Sequence, residues 1–185
     1  MDLAWVDAEA RHREQLQGFT CAEEGRRYLK KRVKHSPDVV DVPGYPAAEV
    51  QGSLRDMLPP YHEPWHLRLG EAYGYLPGAA SFFETEAKIE WVAVKPDTML
   101  AHLLWIGVDQ NFQSLGHGRV LLNDAIRRAG AVARQRGHVS MAIYASVHPQ
   151  NEAARSLFES SGWELHEGDP GSAYVAYVLK GELAR

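Results

Sequence analysis

Cysteine is almost missing from this chain. Cys21 is the single one in 185 residues, which excludes an internal disulfide framework and any cysteine-rich zinc site, and suits a reducing compartment. Long apolar runs are missing too, since no stretch approaches the ~20 residues of a membrane-spanning helix. Positive charge is not in excess. Twenty Lys and Arg stand against 24 Asp and Glu, a net charge of -4, so electrostatics gives no reason to expect nucleic acid or an anionic membrane as the main partner. Residues 1–30, rich in Glu and Arg, do not read as a signal peptide. There is no internal repeat and no low-complexity tract. A soluble, cytoplasmic protein is the expectation. Hydrophobic content of 45% and charged content of 24% are globular values, and the length suits one domain over 1–185 with a full core.

What is present is organised around Leu103–Leu122, LLWIGVDQNFQSLGHGRVLL. Its apolar run, Leu103–Val108, ends at the turn-prone Asp109-Gln110-Asn111 and reads as a buried strand. Gln113, Gly116 and Gly118 follow, and then a helical pattern starts. A helix N-terminus carries unpaired N–H groups and partial positive charge, so a strand, glycine turn and helix start make an anion site. Glycine lets a phosphate approach without meeting a Cβ. The spacing excludes two motifs of this outline. A P-loop needs a lysine after the last glycine, where Arg119 stands, and a dinucleotide fingerprint needs a third glycine where Leu121 stands.

The remaining pattern, Gln113-x-x-Gly116-x-Gly118, resembles the [QR]-x-x-G-x-[GA] signature of the GNAT superfamily of acetyl-CoA-dependent N-acetyltransferases. A second segment, Asn151-x-x-Ala154-x-x-Leu157-Phe158-x-x-x-Gly162-Trp163, is similar to a later element of the same superfamily. It lies one helix and one strand downstream, in the family's order. The resemblance is specific over residues 101–165. It implies a mixed, mostly antiparallel twisted sheet with helices on both faces and a central pair of parallel strands that splay apart.

In chain order, the sequence predicts a short strand at Leu3–Val6, a helix over Ala8–Phe19 and a second over Cys21–His35. The latter carries Arg26, Arg27, Lys30, Lys31, Arg32 and Lys34, read as a solvated face. Ser36–Pro46 is a loop and Ala47–Met57 a short helix before Pro59-Pro60. Strands are expected at Trp65–Ala72, Ala79–Thr85, Ile89–Val94 and Met99–Val108, then a helix with Leu122, Ile126, Ala129 and Ala133 on one side, stopped at Gly137. Val139–Val147 alternates, with apolar residues at odd positions. Asn151–Ser161 is a helix closed by Gly162, and two strands end the chain. His62-Glu63-Pro64-Trp65-His66 matches H-E-x-x-H, but that chemistry needs both histidines on one helix face. Pro64 and the strand-like alternation after it argue against a helix, so no metal is expected.

The resemblance also implies a chemistry. Acetyl-CoA is the expected cosubstrate, its pyrophosphate on the backbone N–H groups of Gln113, Ser114, Leu115, Gly116, His117, Gly118 and Arg119. Its pantetheine should pair with the backbones of Ile106 and Val108, and lie near Asn151 and Phe158. The acceptor is a primary amine of a small molecule or peptide. A protein N-terminus or lysine, and a non-catalytic acyl-CoA sensor, are the alternatives; a homodimer is possible. An amine of pKa ~10.4 must lose a proton, and the family commonly uses a glutamate for this. The strand over 100–108 has no carboxylate, and Asp109 lies too close to the turn. Glu84, Glu86, Glu90 and His148 are candidate bases, with Glu84 and His148 carried forward. Phe158 occupies a position where many members have a tyrosine acid, so Tyr144 or water could protonate the thiolate. Ser114 replaces a usual glycine. Trp65, Tyr73, Tyr75, Trp91 and Trp105 are read as core packing more than as a cage for a cation.

Overall fold

The computed structural model describes residues 3–22, 45–71, 77–88, 91–166 and 174–183. The expected helix over Cys21–His35 with its basic run, Glu90, Tyr73 and Tyr75 fall largely or wholly outside them. The elements are β1 (Ala4–Asp7), α1 (His12–Gln17), α2 (Tyr45–Arg55), β2 (Trp65–Glu71), β3 (Pro77–Glu84), β4 (Thr98–Val108), α3 (His117–Gln135), β5 (Ser140–Val147), α4 (Glu152–Ser160), β6 (Glu164–His166) and β7 (Val175–Glu182). They form a seven-stranded sheet in the order β1-β2-β3-β4-β5-β7-β6. Only the β4–β5 pair is parallel; every other neighbour is antiparallel. A helix carries the chain from β4 back to the start of β5, as a parallel pair requires, while shorter links without a helix join β2 to β3, β3 to β4 and β6 to β7. The expected mixed sheet is what forms. Among the described residues no helix is long and apolar enough to cross a membrane.

Alternation along β4 and β5 sorts the two faces. Met99, Ala101 and Leu103, with Met141, Ile143, Ala145 and Val147, pack against Leu122, Ala125, Ala129 and Ala133 of α3 and Phe158 of α4. The opposite face carries Leu67, Leu69, Ala80 and Phe82, covered by Leu16 of α1, Phe19 and Leu54 of α2. Trp65 stacks on Phe82 at 5.6 Å and, with Trp105, belongs to this second core. A buried ion pair pins α3 to the sheet: Arg68 Nε donates to Asp124 Oδ2 at 2.8 Å and Nη2 to Oδ1 at 3.2 Å, while Nη1 meets Asp7 at 3.0 Å. Two parallel N–H···O bonds fix orientation as well as distance.

The helix ends explain much of the second motif. Asn151 is the N-cap of α4, its side chain accepting from Ala154 N at 3.1 Å. At the other end Gly162 (φ 79°) donates to Glu159 O and Trp163 N donates to Phe158 O, both at 3.1 Å. This pair of bonds needs a left-handed residue, hence glycine, and brings the next residue onto the last turn. The Trp163 ring accordingly meets Phe158 at 4.8 Å. Helix α3 ends in the same way, with Gly137 (φ 79°) and the bond from His138 N to Ala133 O. One strand differs from expectation. Residues 91–94 are not a strand; Trp91 leaves the sheet and lies over Tyr144 instead, its ring perpendicular at 5.5 Å.

Candidate active site

The glycine turn is held from below by Asp109. This buried carboxylate accepts from Asn111 N and Thr20 N, each at 3.1 Å, so it is committed to the turn. Gln113 Nε2 donates to Val108 O at 2.9 Å and Cys21 O at 3.0 Å, which ties the turn to the end of β4. The backbone then reverses through two left-handed residues, Ser114 (φ 62°) and Gly116 (φ 83°). A left-handed φ explains why glycine is usual at both positions; serine accepts the strain at the first. Within the expected span, Gln113 N bonds Gln110 O and Arg119 N bonds Gly116 O. The N–H groups of 114 to 118 between them have no partner among the described residues. They stand at the start of α3, where the helix dipole adds positive potential. Leu115 is exposed, and Arg119 reaches Ser160 Oγ at 3.0 Å.

Strands β4 and β5 are paired from Thr98↔Ser140 to Leu103↔Ala145 and part beyond that point. A register shift against β3 leaves Leu104 unpaired where the parting begins. Asp109 N donates to Gly78 O, so alternation turns the backbone groups of Gly107 toward β3 and those of Ile106 and Val108 toward the open edge. A cleft of about 70 Å³ opens in the gap. Ala154, Phe158 and Asn151 line it from the α4 side of the sheet, and Pro46, Glu49 and Val50 from the α2 side. It therefore passes between the strands from one face to the other.

Glu49, Tyr174 and His148 are among the polar side chains of this lining. Glu49 sits on α2 at helical spacing from Pro46 and Val50, so the helix presents all three together. Tyr174 Oη donates to its Oε2 at 3.2 Å across the gap. Among the described residues Glu49 is the only carboxylate of the lining, and sequence reasoning missed it because nothing in 45–55 says which helix face meets the strands. His148, at the end of β5, is 4% exposed. Its Nδ1 accepts from Gln150 N at 3.2 Å, and among the described residues its buried Nε2 has no hydrogen-bond partner. Phe158 is buried, stacked on Tyr177 at 5.4 Å, with part of its ring at the cleft wall.

The other expected candidates lie elsewhere. Glu84 pairs across the sheet with His102, and His102 with Tyr144, a row just before the strands part and outside the cleft lining. Burial, and secondarily the Glu84 charge, pushes the Tyr144 phenol up to about 12. Glu86 is bonded to Arg136 at 2.6 Å, and Glu63 of the H-E-x-x-H pattern meets the same guanidinium at 2.5 Å. That pattern runs from a loop into β2, with His62 exposed and His66 buried against Phe83 at 5.0 Å. It does not lie on one helix face.

His102 stacks on Tyr144 at 4.0 Å, and burial lowers its pKa from 6.5 to about 4. The sign follows. Below about pH 6.5 the unfolded chain takes up a proton that folded His102 refuses, so stability falls as pH drops and levels off near 4. Urea midpoints of His102→Phe should fall less across that window than those of the wild type. Equal slopes would show that His102 is not held neutral by burial.

No curated protein matches the chain. Its fold is similar to that of many solved structures, of which three distant in sequence follow. The ribosomal-protein-S18-alanine N-acetyltransferase from Escherichia coli is 16% identical, covering 98% of this chain and 94% of that one, with a TM-score of 0.54. The PaiA N-acetyltransferase from Thermoplasma acidophilum, in complex with coenzyme A, is 13% identical over 98% and 100%, with a TM-score of 0.57. AtaTR bound with acetyl-CoA is 14% identical over 97% and 93%, with a TM-score of 0.63. A family model described as the acetyltransferase (GNAT) family matches residues 52–163, a span that takes in the glycine turn, the parted strands and the α4 motif. On that match the chain belongs to the GNAT acetyltransferase family.

Proposed function

We propose that the protein transfers an acetyl group from acetyl-CoA to a primary amine of a small molecule or peptide, by direct attack within a ternary complex. The observation that carries this reading is the parting of β4 from β5 beyond Leu103 and Ala145, which leaves Ile106 on the wall of a cleft, a short way along the chain from the glycine turn that opens α3. A pyrophosphate suits the turn and an amide-bearing pantetheine arm suits the cleft wall. Asn151 and Phe158 flank that arm on the α4 side. The thioester is then brought to the place where the strands part, and the acceptor approaches from the α2 side, past Glu49.

In this reading Glu49 takes the ammonium proton, held in place by the Tyr174 hydroxyl. It replaces Glu84, which lies outside the cleft. The neutral nitrogen attacks the carbonyl carbon, the C–N bond forms, the C–S bond breaks with its electron pair on sulfur, and the nitrogen, cationic once bonded to carbon, passes its second proton to the freed thiolate. The thiolate leaves unaided. Proton transfer from a phenol of pKa about 12 to a thiolate near ~8.5 runs uphill, so Tyr144 gives no help. Calorimetry with acetyl-CoA, followed by thiol release against a panel of amines and peptides, tests the proposal. Binding with no release for any amine would leave an acyl-CoA-binding module instead.

A further inference from the structure

Residues 19–22 follow α1 without regular structure, yet each of their backbone N–H and C=O groups is bonded. An irregular stretch has no ladder of its own, so the neighbours that satisfy it also fix it. Phe19 N donates to Leu16 O within the α1 end. The turn after β4 supplies one set of partners. Thr20 N donates to Asp109 Oδ2 at 3.1 Å, and Gln110 N to Thr20 O at 2.7 Å. Gln113 Nε2 donates to Cys21 O at 3.0 Å, and Gln110 Nε2 to Ala22 O. Helix α2 supplies the other set. Arg55 Nε donates to Phe19 O at 2.5 Å, and Gln51 Oε1 accepts from both Cys21 N and Ala22 N, at 2.8 and 2.9 Å. Cys21 Sγ donates to Ala47 O at 3.6 Å. Ala47, Gln51 and Arg55 follow at helical spacing, so one stripe of α2 faces this stretch. Pro46, Glu49 and Val50 lie on the other side of the same helix, at the cleft.

We propose that Gln51 is a positioning residue for acetyl transfer: through Cys21 and Ala22 it locks α2 to the glycine turn, and so holds Glu49 in place at the cleft. This rests on the acetyltransferase reading with Glu49 as base. Pyrophosphate bound at the turn fixes where the thioester lies, and α2 fixes where the base lies. Residues 19–22 fix the one against the other. Proton transfer needs donor and acceptor within hydrogen-bond reach, ~2.6–3.2 Å, and a misplacement of about 1 Å costs roughly 10²-fold in rate. Two N–H groups converge on one atom of Gln51, so that atom is the amide oxygen. A side chain with no acceptor there leaves both groups unpaired, and the helix is then free to shift. Gln51 is outside the cleft lining, so it acts through Glu49, which still receives the ammonium proton.

The pH profile separates positioning from a merely structural role. Gln51→Leu fills the site without an acceptor. With one active amine its kcat at pH 7 should fall roughly 10- to 10²-fold, and the deficit should close as pH rises, because the amine then loses its proton without Glu49. Acetyl-CoA affinity should be unchanged, since Asp109, Gln110 and Gln113 keep their places in the turn. Gln51→Glu, whose carboxylate accepts the same two N–H groups, should recover the rate. Combining Gln51→Leu with Glu49→Gln should cost no more than Glu49→Gln alone, because both act on one proton transfer. Arg55→Met unties the same stripe at Phe19 and should give the same pH signature, which keeps the test intact where Gln51→Leu does not fold. A fall in kcat equal at every pH, no recovery in Gln51→Glu, or losses that multiply in the double variant overturns the proposal and leaves the acetyltransferase reading standing. No thiol release from wild type with any amine overturns both.

Discussion

Gly116→Val is expected to weaken acetyl-CoA binding by about 10²- to 10⁴-fold while the domain stays folded. The residue sits at φ 83°, where a β-branched side chain is strongly disfavoured. A Cβ built there touches nothing within 4 Å, so crowding is not the difficulty. The backbone must instead rotate out of the left-handed region, and that re-aims the N–H groups of 116 to 118. Each bond from an N–H to a charged oxygen is worth roughly 1.5–3 kcal/mol, and losing two gives the quoted range. Gly118→Ala is the control. Its Cβ would meet Leu157 at 3.5 Å, an ordinary contact, and its helical position carries no strain, so affinity should change by less than about threefold. Calorimetry reads both, and circular dichroism checks the fold. Equal affinities for wild type and Gly116→Val would remove the pyrophosphate from this turn.

Gly116 was legible in the sequence because its role is local: a strand, a turn and a helix start follow one another, and only glycine suits the turn. The same holds for Asn151, Gly162 and Trp163, which cap and close one helix. The odd-numbered apolar residues of 139–147 announced a strand with one buried face, and Met141, Ile143, Ala145 and Val147 are that face. What escaped was non-local. Alternation along β4 is broken at Leu104 by a register shift that depends on β3, so the point where the strands part could not be read from 99–108 alone. Ile89–Val94 looked like a strand, yet Trp91 finds its partner in Tyr144, far along the chain. His102 showed only as one polar residue in an apolar run, and its lowered pKa comes from burial that exists only once the sheet has formed. Glu49 is the clearest case, because a carboxylate on a short helix reads as a solvated charge until the helix is docked.

Glu49→Gln should lower kcat at pH 7 by about 10³-fold, and the deficit should close as pH rises. The size follows from the acceptor. An amine of pKa ~10.4 is neutral in only about one molecule in 2,500 at pH 7. An enzyme without a base must draw on that fraction, while one with a positioned carboxylate removes the proton inside the complex, an effect of typically ~10²–10⁴. The variant's rate should therefore climb roughly tenfold per pH unit until the amine itself deprotonates, where the two proteins converge. Glutamine keeps an oxygen for the Tyr174 hydroxyl, so the α2 side of the cleft retains its shape and acetyl-CoA affinity should be unchanged. Glu84→Gln is the comparison. It stands in the His102 and Tyr144 row, outside the cleft lining, and should cost less than about threefold. The measurement is kcat against pH for the three proteins with one active amine. A normal rate in Glu49→Gln at pH 7, with the steep pH dependence appearing in Glu84→Gln, would return the base to β3 and place the acceptor along the sheet row instead of between the parted strands.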